Sequence, residues 1–417
     1  MKSRGPASAP LRYIVILCKE ILHHDFFSYH QAFLINLQEV TPVKPIYLDY
    51  NATTPIDPAV LEAMLPFLKE EFGNPSSSHA YGQSAHEAME RGRAQLATLI
   101  GAETDEIVFT GDGTEASNQA IKGAAFGNLL AGRKAHIIIS TIEHPATVQP
   151  CEFLKRFGCA ITPAPVDQTG LIDPEAVRKA IMPDTALISI MHSNNEVGTL
   201  EPIREIAAIA RERGILMHTD AAQSLGKVPV NVNDLGVDLM TIAGHKLYAP
   251  KGIGALYIRR GVKLESFIHG AGHEQGRRAG TENVPYIVGL GAAAEIAMRS
   301  LPAATEKLRT LRDRLEQQLR DRLGDRIILN GHRELRLPNT LNLSFLGWIG
   351  GELLEAVPGI AASTGSACHA GKIDLSPVLM AMGISPLMVR AAVRLSVGRF
   401  TTEAEVDRAA ELLANVS

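Results

Sequence analysis

The sequence predicts an α/β protein: a mostly parallel sheet covered by helices, joined to a small α+β domain. Three observations predict it. Short, nearly continuous apolar runs alternate with amphipathic stretches, the pattern of strands buried on both faces and separated by helices. A strongly charged helical stretch then breaks that alternation and opens a smaller second region. The 417 residues, 46% hydrophobic and 21% charged, are the composition of an ordinary globular protein with ample material for a core.

Taken in order, residues 1–45 carry aromatic and histidine patches without periodicity, and we expect a poorly ordered extension there. The spacing predicts helices at Pro58–Phe72, Ser84–Ile100, Thr114–Leu130, Pro145–Phe157, Pro202–Arg213 and Val284–Arg299. Strands are expected at Ile107–Thr110, Ala135–Ser140, Ala186–Met191, Leu216–Asp220, Leu239–Ile242 and Ile253–Ile258. The charged helix Ala303–Leu323 opens the second region, with a strand at Asn339–Phe345, a helix near Gly351–Ala356 and a strand near Val393–Ser396. A closing helix begins at Thr402, where Glu405 three residues on completes a capping-box signature.

Composition also excludes classes of function. Lys and Arg total 41 against 45 Asp and Glu, a net charge of −4 that leaves no electrostatic footprint for nucleic acid. Aromatics are 5%, too few for base-stacking platforms. No stretch of the sequence approaches the ~20 apolar residues of a membrane span, so no membrane partner is expected. Cys18, Cys151, Cys159 and Cys368 form no disulfide framework and none has zinc-ligand spacing, so we expect no metal and a reducing cytoplasm.

The chemistry concentrates at strand ends. His218-Thr-Asp220-Ala-Ala-Gln223 and Ala243-Gly-His-Lys246 each close a buried strand, where open α/β sheets place their ligands. A carboxylate and a lysine in one crevice suit pyridoxal phosphate: the lysine bonds the aldehyde, and the acid keeps the ring nitrogen protonated. Alone, the pair reads equally as a buried ion pair beside a surface lysine. Gly113 and Thr114, between a strand and a helix, can cradle a phosphate at the helix N-terminus. His144 and Asn195 end two further strands, within reach of a ring. Cys368 sits in a small-residue loop, Gly359 to Lys372, with His369 and Lys372 nearby to favour the thiolate. An arginine on the strand near Val393 would grip an α-carboxylate with two parallel hydrogen bonds.

Seven motifs occur in order: Tyr47-Leu-Asp-Tyr-Asn-Ala-Thr-Thr-Pro55, Gly73-Asn-Pro-Ser-Ser77, Asn194-Asn-Glu-Val-Gly198, Asp220-Ala-Ala-Gln223, Gly244-His-Lys246, Arg278-Ala-Gly-Thr-Glu-Asn283 and Gly365-Ser-Ala-Cys368. Together they closely resemble the cysteine desulfurases, class V members of the fold-type I pyridoxal-phosphate enzymes. The resemblance runs from about Ile46 to the C-terminus. It implies a homodimer, with a large cofactor domain over 59–300 and a small domain built from 46–58 with 301–417. It also implies roles. Lys246 resembles the Schiff-base lysine, His144 the ring-stacking histidine and Asp220 the partner of the pyridine nitrogen. Gln223 and Asn195 resemble contacts to the ring oxygen, while Gly113, Thr114 and His245 resemble phosphate ligands. Thr281 resembles the phosphate ligand that reaches across the dimer, and Arg394 the carboxylate clamp.

Cys368 resembles the cysteine that takes sulfur from L-cysteine as a persulfide, releases L-alanine and hands sulfur to acceptor proteins in iron–sulfur assembly or another sulfur pathway. Three positions depart from the family pattern: Ala243 where many members carry serine or threonine, Asp112 in place of a small residue, and Gln275 in place of a frequent arginine. A selenocysteine lyase acting on L-selenocysteine would use the same apparatus. A class V aminotransferase would need no loop thiol, and a silent sulfur-relay scaffold would have no need of Lys246.

Overall fold

Burial on both faces is what makes the strands legible, and the computed structural model, which describes residues 44–364 and 375–416, assembles them as the pattern requires. The strands are β1 (Ile46–Tyr47), β2 (Ile107–Thr110), β3 (His136–Ser140), β4 (Ala160–Ala164), β5 (Thr185–Ser189), β6 (Leu216–Asp220), β7 (Leu239–Ala243), β8 (Gly254–Ile258), β9 (Ile327–Asn330), β10 (Thr340–Phe345), β11 (Ile360–Ala361) and β12 (Ala392–Ser396). Seven form the central sheet in the order β2-β8-β7-β6-β5-β3-β4. β8 runs antiparallel to both its neighbours, and every other adjacent pair is parallel.

Alternation along each strand divides the apolar residues between two cores. Ile137, Ile139, Leu239, Leu256 and Ile258 face helices Gly113–Leu129 and Pro145–Lys155. Ile138, Ile188, Met217, Met240 and Tyr257 face the other way. That second face is covered by Pro58–Lys69, Ala80–Ile100, Ile203–Glu212 and the first half of Val284–Leu323.

Two expectations need correcting. The stretches Val284–Arg299 and Ala303–Leu323 are one helix of 40 residues, with Pro302 inside it. Proline removes one helical N–H and crowds the preceding turn. Here the turns on either side are tied independently. The Ser300 hydroxyl donates to the Ile296 carbonyl at 2.8 Å, and the Thr305 hydroxyl lies within reach of the carbonyls of Leu301, at 2.8 Å, and Lys227, at 2.7 Å. This helix is also long and apolar enough, by length and composition, to match a membrane span. Its first half nonetheless buries Ile287, Leu290, Ala293 and Ala297 against the sheet-covering core, as a core helix does.

The second half of the same helix supplies Leu308, Leu311, Leu315 and Leu319 to a separate core, with Leu341 and Leu343 of β10, Val393 and Leu395 of β12 and Leu413 of the closing helix. Leu48 joins them from the other end of the chain. β1 pairs with β11 in parallel, β9, β10 and β12 form an antiparallel sheet, and the Ser396 N–H donates to the Leu48 carbonyl at 2.7 Å. The capping box forms as expected: the Thr402 hydroxyl accepts from the Glu405 N–H while the Glu405 carboxylate accepts from the Thr402 N–H. β4 was not expected. Pro163 and its partial exposure suit a sheet edge, where a missing ladder donor costs little.

Candidate active site

β2, β3, β5, β6 and β7 end at one edge of the sheet, and the segments leaving them line a cavity of about 400 Å³. β7 passes through Ala243 into a single tight turn, Gly244–Lys246, that aims the lysine inward. The Lys246 amine donates to the carbonyls of Asn51 and Ala52. Burial, then the positive charge of Arg394, brings this amine down to about 8 against the pull of Asp220 and Asp49. At neutral pH about a tenth is then unprotonated, far more than for an ordinary lysine.

β6 ends in Asp220, whose carboxylate accepts the Ala222 N–H at 2.9 Å. Burial raises its pKa, opposed by that hydrogen bond and by His144 and Lys246. A cation placed against it would restore the ionised form. His144 caps Pro145–Lys155, and its Nδ1 accepts the Ala146 N–H at 3.1 Å. Burial lowers its pKa, so the ring is neutral with its proton on Nε2. A flat, uncharged ring then faces the cavity.

Gly113 and Thr114 begin the 17-residue helix Gly113–Leu129 at the same edge. A side-chain carbon at Gly113 would stand 3.0 Å from that of Ala243, so the two small residues fit one another. The Asp112 carboxylate is turned onto its own helix, where it accepts the Glu115 N–H at 2.7 Å. His245 shares a hydrogen bond between Nδ1 and the Thr53 hydroxyl, and burial, with Lys246 and Lys251, pushes its pKa down to about 4.

Arg394 enters from β12. Its guanidinium donates to Asp49 at 2.7 Å and to the Asn195 carbonyl at 3.1 Å, while its buried Nε has no partner among the described residues. Gln223 donates from Nε2 to the Asn51 carbonyl at 2.9 Å and accepts from Lys227 at 3.0 Å.

The structure therefore brings Gly113, Thr114, His144, Asn195 and Asp220 to one cavity, with Gln223, His245, Lys246 and Arg394. Thr281 stands exposed and does not line it. Cys368 and the extension up to residue 43 lie outside the described residues. The flanks of 365–374 are described, and both are tied beside the cavity. The Arg394 N–H donates to the Ser363 carbonyl at 2.7 Å, and the Ser376 hydroxyl donates to Glu196 at 2.6 Å. Cys151 and Cys159 are buried, and burial pushes their thiols up to about 12 and about 11, so neither supplies a thiolate. Arg399 is structural, paired with Asp57 at 2.7 Å and packed over Tyr248.

Sequence reasoning missed Asn51. Its carbonyl accepts from both Lys246 and Gln223, and its side chain ties Asn195, Thr340 and Asn339 together. The only signal was its place inside the Tyr47 to Pro55 motif.

Fold and cavity are those of a class-V aminotransferase, and the family model with that description matches residues 46–409. The chain is 47% identical to the cysteine desulfurase IscS of Dictyoglomus turgidum, over 89% of this chain and 94% of that protein. Among solved structures, a NifS-like protein matches with a TM-score of 0.83 and 37% identity, covering 89% of this chain and 99% of the other. SspA in complex with cysteine matches with a TM-score of 0.74 and 37% identity, covering 85% and 99%. The chain belongs to the cysteine desulfurases of the class-V aminotransferase family.

Proposed function

We propose that this protein is a cytoplasmic, homodimeric cysteine desulfurase that uses pyridoxal 5′-phosphate and passes sulfur from L-cysteine, through Cys368, to an acceptor protein. The observation that carries the reading is the convergence of Lys246, Asp220, His144 and Arg394 on one cavity. The solved complex of the related SspA with cysteine supports the choice of substrate.

The residues present fit the cofactor. Lys246 would hold it, Asp220 would face its ring nitrogen and His144 would stack on its ring. Gln223 and Asn195 would meet the ring oxygen, and the Gly113–Thr114 turn with His245 would take the phosphate. In a homodimer, Thr281 of one copy would serve the cavity of the other. When bound, the cofactor supplies an aldehyde that captures the substrate amine and a ring that draws electrons from Cα.

The chain's own residues do the rest. Arg394 fixes the substrate carboxylate with its open guanidinium edge, which orients Cα toward Lys246. The lowered pKa of Lys246 lets its amine accept the α-proton near neutral pH. Cys368 attacks the substrate sulfur as a thiolate. The new S–S bond forms as the substrate's C–S bond breaks, and the electron pair of that bond stays with carbon. Cβ is then protonated to a methyl group, Lys246 returns a proton to Cα, and alanine leaves.

Cys368→Ser tests this reading, because a hydroxyl cannot carry persulfide sulfur. Cysteine should still perturb the cofactor's visible absorbance, while alanine and sulfide release fall by orders of magnitude. Native-rate alanine release from the variant would refute the persulfide route.

A further inference from the structure

Beneath the cavity lies a lysine that the mechanism above does not use. Lys227 is 5% exposed, and its amine donates to the backbone carbonyl of Gln223 at 2.9 Å and to Gln223 Oε1 at 3.0 Å. Gln223 is itself 5% exposed and reaches the cavity wall. Its Nε2 donates one hydrogen to the Asn51 carbonyl, the same oxygen that receives Lys246. A side-chain amide can turn over, exchanging its oxygen and nitrogen, and the two ends do opposite things. With nitrogen toward the cavity, Gln223 offers a spare N–H to an anionic oxygen. With oxygen there, it would repel that oxygen and oppose the Asn51 carbonyl.

We propose that Lys227 is the positioning residue that fixes this choice, holding Oε1 of Gln223 inward so that its amide N–H₂ faces the cavity and the oxygen of the bound cofactor. An ammonium has donors and no acceptor, so whatever meets it must be an oxygen. Both hydrogen bonds of the Lys227 amine land on Gln223, one on the backbone and one on the side chain, and so fix the residue at both ends. Burial, then the charges of Lys246 and Arg394, brings the Lys227 amine down to about 7. Even when neutral it has two hydrogens for these two oxygens. Its burial also separates it from Lys246, whose amine lies at the cavity wall.

This inference rests on the reading of the cavity as a pyridoxal-phosphate site, and the test separates the two. Apoprotein is titrated with pyridoxal phosphate and the dissociation constant read from visible absorbance, for Lys227→Met in the native background and in Gln223→Met. Lys227→Met should weaken binding about tenfold in the native background and less than twofold in Gln223→Met. It should also raise the pH midpoint of the bound cofactor's visible band, because a lost N–H donor disfavours the anionic oxygen. Lys227→Gln keeps a neutral donor that can turn either way. It should recover part of the affinity, and it carries the same cycle if the methionine variant does not fold. Equal losses in both backgrounds would make Lys227 a packing residue and overturn the inference alone. A native apoprotein that takes up no cofactor would overturn the reading of the cavity and this inference with it.

Discussion

Two buried arginines, Arg394 at the cavity and Arg93 behind the sheet, show what distinguishes a site from a strut. Arg93 is closed. It donates to Glu274 at 2.7 and 2.8 Å, to Glu90 at 3.0 Å and to the Ile107 carbonyl at 2.9 Å, and it lies over the ring of Phe109. Glu274 also accepts the Phe109 N–H at 2.8 Å. That anchoring holds Glu274 and Gln275 at φ of 48° and 59°, left-handed geometry that costs about 1–3 kcal/mol per non-glycine residue. Arg394 is open by comparison: it lines the cavity, two of its donors are engaged, and its buried Nε has no partner among the described residues. An unpaired donor alone is not enough. Arg336 buries two of them and lines no part of the cavity. Unsatisfied hydrogen bonding has to coincide with room for a ligand.

The largest expected effect removes the amine at the centre of that room. Lys246→Ala should lower alanine release by at least about a thousandfold and abolish the visible absorbance of bound cofactor. Borohydride reduction of the native protein, followed by peptide mapping, should place the label on Lys246. A label on Lys227 or Lys251 would contradict the assignment.

The same substitution at the two arginines sharpens the contrast. Arg394→Met should raise KM for L-cysteine roughly a hundredfold while moving the unfolding free energy by less than about 1 kcal/mol, because its partner Asp49 is partly exposed. Arg93→Met strands the buried carboxylate of Glu274 and should cost about 3–5 kcal/mol in urea unfolding, with KM of the folded protein little changed. If both variants lose stability and keep KM, the distinction between open and closed arginines fails.

A smaller effect follows from protonation. The Lys246 pKa falls from 10.5 to about 8 on folding, so the unfolded chain binds the proton more tightly. This group destabilises the apoprotein below pH 8, and the cost is relieved as pH rises from about 8 to 10.5. Lys246→Met should therefore stabilise apoprotein at pH 7 by roughly 1–3 kcal/mol, and the gain should vanish above pH 10.5. The smallest expected effect is deletion of residues 1–43, which should leave cofactor uptake and alanine release unchanged.

Much of this was legible because the relevant residues end strands that are buried on both faces, and those strands announce themselves as apolar runs. That placement marked Asp220, Lys246 and the Gly113 turn as candidates, and the resemblance supplied their roles. What was not legible depends on contacts between distant segments. Asn51 meets Gln223 and Lys246 across separations of 172 and 195 residues, and no local pattern encodes such a meeting. Nothing in the local sequence marks Lys227, whose contacts with Gln223 appear only in the fold. Pro302 reads locally as a helix break, and the two helix halves remain one rod because each is gripped by a different core.

The ion pair between Asp49 and Arg394 joins residues 345 positions apart. On a ribosome, Asp49 is made 345 residues before its partner. Most of the cavity's walls can form while the chain is still growing, since domains consolidate from the N-terminal side. The carboxylate clamp cannot, and neither can the seat of Leu48, which takes the Ser396 N–H. A nascent chain can thus hold Lys246, Asp220 and the Gly113 turn while lacking Arg394, which lines the same cavity. The cavity is therefore completed only after its later-made strand β12 has joined the earlier-made walls.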